Sequence, residues 1–178
     1  EALPKNHPNQ QVVLNSLFTI YYKKAESAFS KQNYDSALVD YLAITEYISD
    51  SDKIWNKIGL CHYYLKNYPK AIEAYQKAFQ FNPAWKYYHN NVGGAYVKNG
   101  DFQNALESFT KFQALFPEWG HTYRNWAMYY ALQNDPEKAL AHLQKAVELG
   151  YADADWIKTD DSLDILRQIG RASCRERV

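Results

Sequence analysis

Apolar and small residues recur along this chain with two superposed periods. The short period is helical. Trp55, Ile58, Gly59 and His62 stand at i, i+3, i+4 and i+7, one face of a helix. After the short turn "KNY", Ala71, Tyr75 and Ala78 mark a second helical face. Pro83 in "FNPAW" ends that helix, because proline disfavours helix at itself and at the residue before it. The long period is 34 residues, kept by Ala37, Ala71, Ala105 and Ala139. Ala25, Gly59, Gly93 and Ala127 keep the same step, as do Tyr41, Tyr75, Phe109 and Leu143, and Pro83 and Pro117. The pattern predicts four helix-turn-helix copies, at 18–51, 52–85, 86–119 and 120–153. Small residues at Gly59 or Gly93 and at Ala71 or Ala105 let the two helices of a copy approach closely. One pair cannot bury its apolar face alone, so stacking of copies is what stabilises such an array.

The stretch "WNKIGLCHYYLKNYPKAIEAYQKAFQFNP" resembles the tetratricopeptide (TPR) repeat, with His62 where tyrosine is usual. The resemblance implies an all-α, right-handed superhelical solenoid of bacterial type, working through protein–protein interaction. The first copy departs from the pattern at Lys24 and Ser49, as a polar N-terminal cap would. In the fourth, Pro136 takes the place of the turn aromatic, at the first turn of the second helix. Residues 1–17 read as an extension, extended at first, that leads into a capping helix starting near Asn9. Residues 154–168 read as a closing segment, similar to the acidic end of many bacterial TPR arrays. It has a capping signal at Asp160 to Ser162 and would lay Trp156, Leu163 and Leu166 over the last helix pair.

Composition removes several functions. The formal charge is zero, from 20 basic and 20 acidic residues, which argues against a general nucleic-acid or anionic-membrane binder. No apolar run has the length of a membrane span. Cys61 and Cys174 form neither a disulfide framework nor a zinc site. Cys61 and His62 are adjacent, so on a helix their side chains diverge by about 100°, which excludes a nucleophile–base pair. The remaining histidines are scattered. The acidic cluster from Asp153 to Asp164 lacks the glycine turn and the terminal glutamate of a calcium loop. No phosphate-cradling loop is present. The chain is therefore expected to be no enzyme, with no cofactor and no metal. The first residue is Glu1 rather than methionine, so an upstream segment is expected, and cytoplasm and periplasm both remain open.

What remains is a groove. The resemblance implies that the first helices of successive copies line a concave, ligand-binding surface. Its positions, carried over, are Lys53, Asn56, Lys57 and Leu60 in the second copy. In the third they are Tyr87, Asn90, Asn91 and Lys98, and in the fourth His121, Arg124, Asn125 and Met128. Asn91 and Asn125 match a family asparagine whose amide, able to donate and accept, holds an extended peptide in some relatives. Lys53, Lys57, Lys98 and Arg124 against Glu26 make the groove basic, so the expected partner is a protein or peptide, with an acidic segment or a C-terminal carboxylate. The residue pattern of the chaperone-binding carboxylate clamp is not met: Asn56, Leu60, His121 and Asn125 stand where Lys, Asn, Lys and Arg would be needed. A second expectation is a non-catalytic helper domain of a larger enzyme or sensor. A third is an architectural repeat that binds through its second helices.

The last ten residues, "IGRASCRERV", follow no column of the repeat and show no helical face. They are also the one-frame translation of a string resembling a widely used sequencing adapter. The expectation is that 169–178 are non-native and that the native chain continues beyond Gln168. Without their three Arg and one Glu, the neutral chain carries −2, and Cys61 is the one remaining thiol.

Overall fold

The computed structural model describes residues 10–175, and every regular element among them is helical. The chain divides into two compact units, residues 1–85 and 86–178. The first contains α1 (Gln10–Ser30), α2 (Tyr34–Thr45), α3 (Asp52–Tyr64) and α4 (Tyr68–Phe81). The second contains α5 (Tyr88–Lys98), α6 (Phe102–Leu115), α7 (Gly120–Leu132) and α8 (Pro136–Glu148). It closes with α9 (Ala154–Thr159), a 3-10 turn (Asp161–Leu163) and α10 (Asp164–Arg175).

One turn is used four times to fold the second helix of a pair back on the first. Gln32, Lys66, Gly100 and Asn134 all take positive φ, at 59°, 59°, 80° and 61°, in the left-handed region that ends helices. The following N–H then reaches back to close the helix: Asn33 to Ala28 O (3.0 Å), Asn67 to His62 O (2.8 Å), Asp101 to Tyr96 O and Asp135 to Tyr130 O (both 2.9 Å). The same residues open the next helix. The side chains of Asn33, Asp101 and Asp135 accept from the backbone N–H of Ser36, Asn104 and Lys138, satisfying donors the helix cannot. Of these four turn residues Gly100, and less strongly Asn134, announce themselves by type. Gln32 and Lys66 are legible only through the period.

Packing follows the small and aromatic columns. A Cβ on Gly59 would lie 2.5 Å from the Tyr75 ring, and one on Gly93 2.6 Å from the Phe109 ring. Both rings are 1% exposed, so each aromatic fills the space that its glycine leaves. In the first unit the core gathers Ala25, Ala37, Tyr41, Ile44, Ile54, Ile58, Cys61 and Ala74. In the second it gathers Val97, Ala105, Phe109, Trp126, Met128 and Tyr129. Leu163 is buried with Ala131 and Ala139, and Trp156 and Leu166 pack against them.

The end of the chain departs from expectation. Helix α10 runs through Arg175, so 169–175 are helical where no helical face is legible. No proline interrupts it, and the cost of Gly170, about 1 kcal/mol in a helix interior, does not stop a run that continues with Arg and Ala. The extended stretch expected at 1–9 lies outside the described residues.

Candidate functional site on the first helices

The groove residues read from the sequence fall in both units. Lys53, Asn56 and Lys57 lie on α3 in the first. Lys53 is exposed and Asn56 half-buried. Lys57 is committed: its ammonium is 2.8 Å from Glu26 and 5.0 Å from the centre of the Phe29 ring. The Tyr41 hydroxyl donates to the same carboxylate. Burial pushes the Glu26 pKa up, but hydrogen bonds from Lys57 and Tyr41 outweigh it and hold the carboxyl below its ordinary 4.5. Lys57 thus balances an internal charge.

The second unit holds the rest. Tyr87 immediately precedes α5, and Asn90, Asn91 and Lys98 sit on it. His121, Arg124 and Asn125 sit on α7, against which α5 packs. Three asparagine amides join across the two helices. Asn125 Nδ2 donates to Asn90 Oδ1 (2.9 Å), and Asn90 Nδ2 donates to Asn91 Oδ1 (2.7 Å). Asn90 is therefore the link between the two asparagines that the family pattern singles out.

Next to this ladder, polar atoms are left unmatched. Among the described residues, His121 Nδ1, Arg124 Nε and Asn125 Oδ1 are buried without a hydrogen-bond partner. Asn125 is 1% exposed. A buried donor or acceptor without a partner costs about 1–3 kcal/mol, and native structures keep few of them. Here three fall within two turns of one helix, at positions chosen from the sequence as ligand-facing.

Aromatic rings frame them. The Arg124 guanidinium lies 5.1 Å from the Trp156 ring centre and 6.0 Å from that of Tyr151, within cation–π range. His121 packs on Trp119 at 4.3 Å and meets the edge of Tyr151 at 5.1 Å. Tyr87 is 46% exposed and stacks on Phe116 at 5.4 Å, with Trp119 beside it at 5.6 Å. Tyr151 stands where Pro83 and Pro117 close the earlier copies and Trp156 lies beyond the fourth copy, so the groove columns could not have selected them as site residues.

Lys98 corrects the charge picture. Its side chain is 8% exposed and its ammonium lies 2.7 Å from Asp160, with Asp161 as a second partner. Burial alone would lower its pKa, but the hydrogen bonds it donates to both carboxylates reverse the shift, which is upward. With Lys57 on Glu26 and Lys98 on the closing segment, two of the four groove cations are neutralised by the chain itself. Lys53 and Arg124 have no carboxylate partner among the described residues. Those residues also include no group of three or more side chains able to hold a metal ion, and no helix long and apolar enough to cross a membrane.

The histidines carry a pH dependence. Burial pushes the pKa of His62, His89, His121 and His142 below the ordinary 6.5, with Lys70, Lys111 and Arg124 adding to it at the first three. The folded state thus prefers them neutral, and below 6.5 the unfolded chain binds more protons. Stability should be complete above pH 6.5 and be lost progressively as pH falls below it. Urea midpoints measured between pH 8 and pH 5 would show this, and a midpoint that stays level or rises on acidification contradicts it.

Two tetratricopeptide-repeat family models match the chain, over residues 52–84 and 93–155, together more than half of it. No curated protein sequence is significantly similar. Among solved structures, MamA from Desulfovibrio magneticus RS-1 aligns with 90% of this chain and 96% of its own, at 16% identity and a TM-score of 0.66. YrrB, a TPR protein with an unusual peptide-binding site, aligns over 75% of this chain and 69% of its own, at 20% identity and a TM-score of 0.62. The TPR2B domain–pHsp70 complex of yeast Sti1 aligns over 75% and 98%, at 14% identity and a TM-score of 0.53. At these identities the likeness is one of fold.

Proposed function

Because this chain belongs to the tetratricopeptide-repeat family, whose repeats generally serve as non-catalytic interaction modules, we propose that it is a protein-interaction module that binds a peptide segment. The binding face lies on the first helices, with its centre at α5 and α7. The observation that carries this reading is the set of three buried atoms without partners, His121 Nδ1, Arg124 Nε and Asn125 Oδ1. An extended peptide offers what they lack, with an N–H for Asn125 Oδ1 and a carbonyl or carboxylate oxygen for Arg124 Nε. Two of the similar folds, YrrB and the Sti1 domain, are described by a peptide-binding site or a bound partner, which supports the same use here.

The preferred segment carries a carboxylate, either an acidic side chain or a chain end. Arg124, like Lys53, has no carboxylate partner among the described residues, and it lies beside the unmatched atoms; a charge-assisted bond to it is about twice as strong as a neutral one. Tyr87 and Trp119 supply apolar contact at the edge. The asparagine ladder sets the register.

The test is selection of short random peptides with free C-termini on the wild-type protein. The selected peptides are then titrated against Asn91→Ala/Asn125→Ala and Arg124→Ala. Each variant should lose about tenfold or more in affinity, which is about 1.4 kcal/mol, with its circular dichroism unchanged. Failure to select any peptide, or equal affinity for all three proteins, would sink the assignment.

A further inference from the structure

Lys98 sits on α5, one of the first helices, yet its partners come from the closing segment sixty-two and sixty-three residues later. The turn that delivers them is built to stay in place. Asp160 takes Lys98 on its carboxylate at 2.7 Å and the Ser162 N–H at 2.9 Å, and the Ser162 hydroxyl donates to the same oxygen. The Asp160 carbonyl accepts from the Arg167 guanidinium at 2.7 Å, and Ile157 O accepts from the same group at 3.1 Å. Ser162 and Leu163 are 2% and 1% exposed. The 3-10 turn packs on α7, the helix that also carries His121, Arg124 and Asn125. Two neighbouring carboxylates, presented by a short piece of backbone, thus occupy a lysine on the helix face proposed to receive a ligand.

We propose that the Asp160–Asp161 turn is a tethered occupant of a carboxylate-binding subsite at Lys98. External partners with paired carboxylates compete with it. This rests on the peptide-binding reading above and adds to it the regulation of the site. A tethered group acts at a high effective concentration, so a free acidic peptide is denied Lys98 while the turn is seated. In the closed state such a peptide is left Arg124 and His121. Weakening the turn hands it a second cation. Lys98 has almost no solvent of its own at 8% side-chain exposure, so a lysine that loses both carboxylates must open to water or take them from elsewhere.

The probe is a fluorescein-labelled, C-terminally amidated peptide carrying Asp-Asp pairs, titrated by anisotropy against four full-length proteins. These are the wild type, Lys98→Gln, Asp160→Asn/Asp161→Asn and the triple variant. Asparagine keeps the acceptor that caps Ser162, so the turn keeps its fold while both charges that hold Lys98 are lost, and glutamine removes the charge at Lys98 but keeps a donor there. The asparagine pair should bind the probe about fivefold or more tighter than wild type, the size of one charge-assisted contact. Lys98→Gln alone should leave the affinity within about twofold, because Lys98 is already occupied. The triple variant should lose the gain. In parallel, the Lys98 Nζ resonance of lysine-labelled protein should stay fixed when probe is added to wild type and shift in the asparagine pair.

Three results overturn the proposal: no gain in the asparagine pair, a gain that survives in the triple variant, or Lys98→Gln weakening the probe by as much as the expected gain. A probe that binds none of the four also overturns it, since a released Lys98 should attract paired carboxylates. That last result leaves the peptide-binding reading to be judged on Arg124 and the asparagines by the peptide selection.

Discussion

Phe109→Ala should destabilise the second unit by about 3–5 kcal/mol, the largest single loss expected here. The ring is 1% exposed and meets Trp126 and Tyr129 edge-on, at centroid distances of 5.9 and 6.4 Å. On its other side it fills the hollow above Gly93, where no side chain can replace it. Alanine would leave a cavity walled by two helices and glycine, which relaxes poorly, so both the transfer loss and the cavity loss apply. Chemical denaturation followed by tryptophan fluorescence reads the change, because Trp126 lies against the ring. A loss below about 1 kcal/mol would mean that the helices collapse into the gap and that the aromatic column is not what holds them.

Gly93→Val should cost about 2–3 kcal/mol through the opposite fault. Two effects compete at this position. A glycine inside a helix is about 1 kcal/mol worse than alanine, so any side chain gains something in propensity. Against that, a Cβ would stand 2.6 and 2.7 Å from two Phe109 ring atoms and 3.1 Å from the Ser108 Cβ. The ring is enclosed and cannot swing away, so overpacking wins. Alanine already brings that Cβ clash, so it too is unfavourable. For valine two further methyls make the result clearly unfavourable. Combining Gly93→Val with Phe109→Leu should restore part of the loss, since the smaller side chain yields room, and strict additivity of the pair would contradict the contact. Gly59 and Tyr75 repeat the arrangement in the first unit, with the ring at 2.5 Å from the missing Cβ, and should respond alike.

These contacts bear on the site because α5 and α7 present it. Gly93 follows Asn90 and Asn91 on α5, and Phe109 packs on Trp126, the neighbour of Asn125. A loss of packing there would disturb the amide ladder without touching a ligand. Binding measurements on groove variants therefore need a stability measurement beside them.

The candidate site was partly legible. The place of Asn90, Asn91, His121, Arg124 and Asn125 in the repeat puts them on the groove face, and α5 and α7 bring them together. The same rule puts Lys57 and Lys98 there, yet they serve other charges. The rule assigns a face, and a face says nothing of what else reaches it. Glu26 lies thirty-one residues before Lys57, and Asp160 sixty-two after Lys98. Neither separation is marked in the sequence, because a charge meets its partner through the path of the chain between them.

Taken alone, the sequence determined the helices of the four copies, their pairing and the columns of small and aromatic residues, because these depend on local period and on contacts repeated every 34 residues. The close approach at Gly59 and Gly93 could be read from it for that reason, while the structure showed that Tyr75 and Phe109 are the side chains facing those glycines. Only the tertiary structure decided which polar groups are satisfied. It placed Tyr151 and Trp156 around Arg124, joined Asn125 to Asn91 through Asn90, and laid the Asp160–Asp161 turn on Lys98. Those outcomes depend on a closing segment that breaks the period and on the directions of single hydrogen bonds, which no column of residue types records.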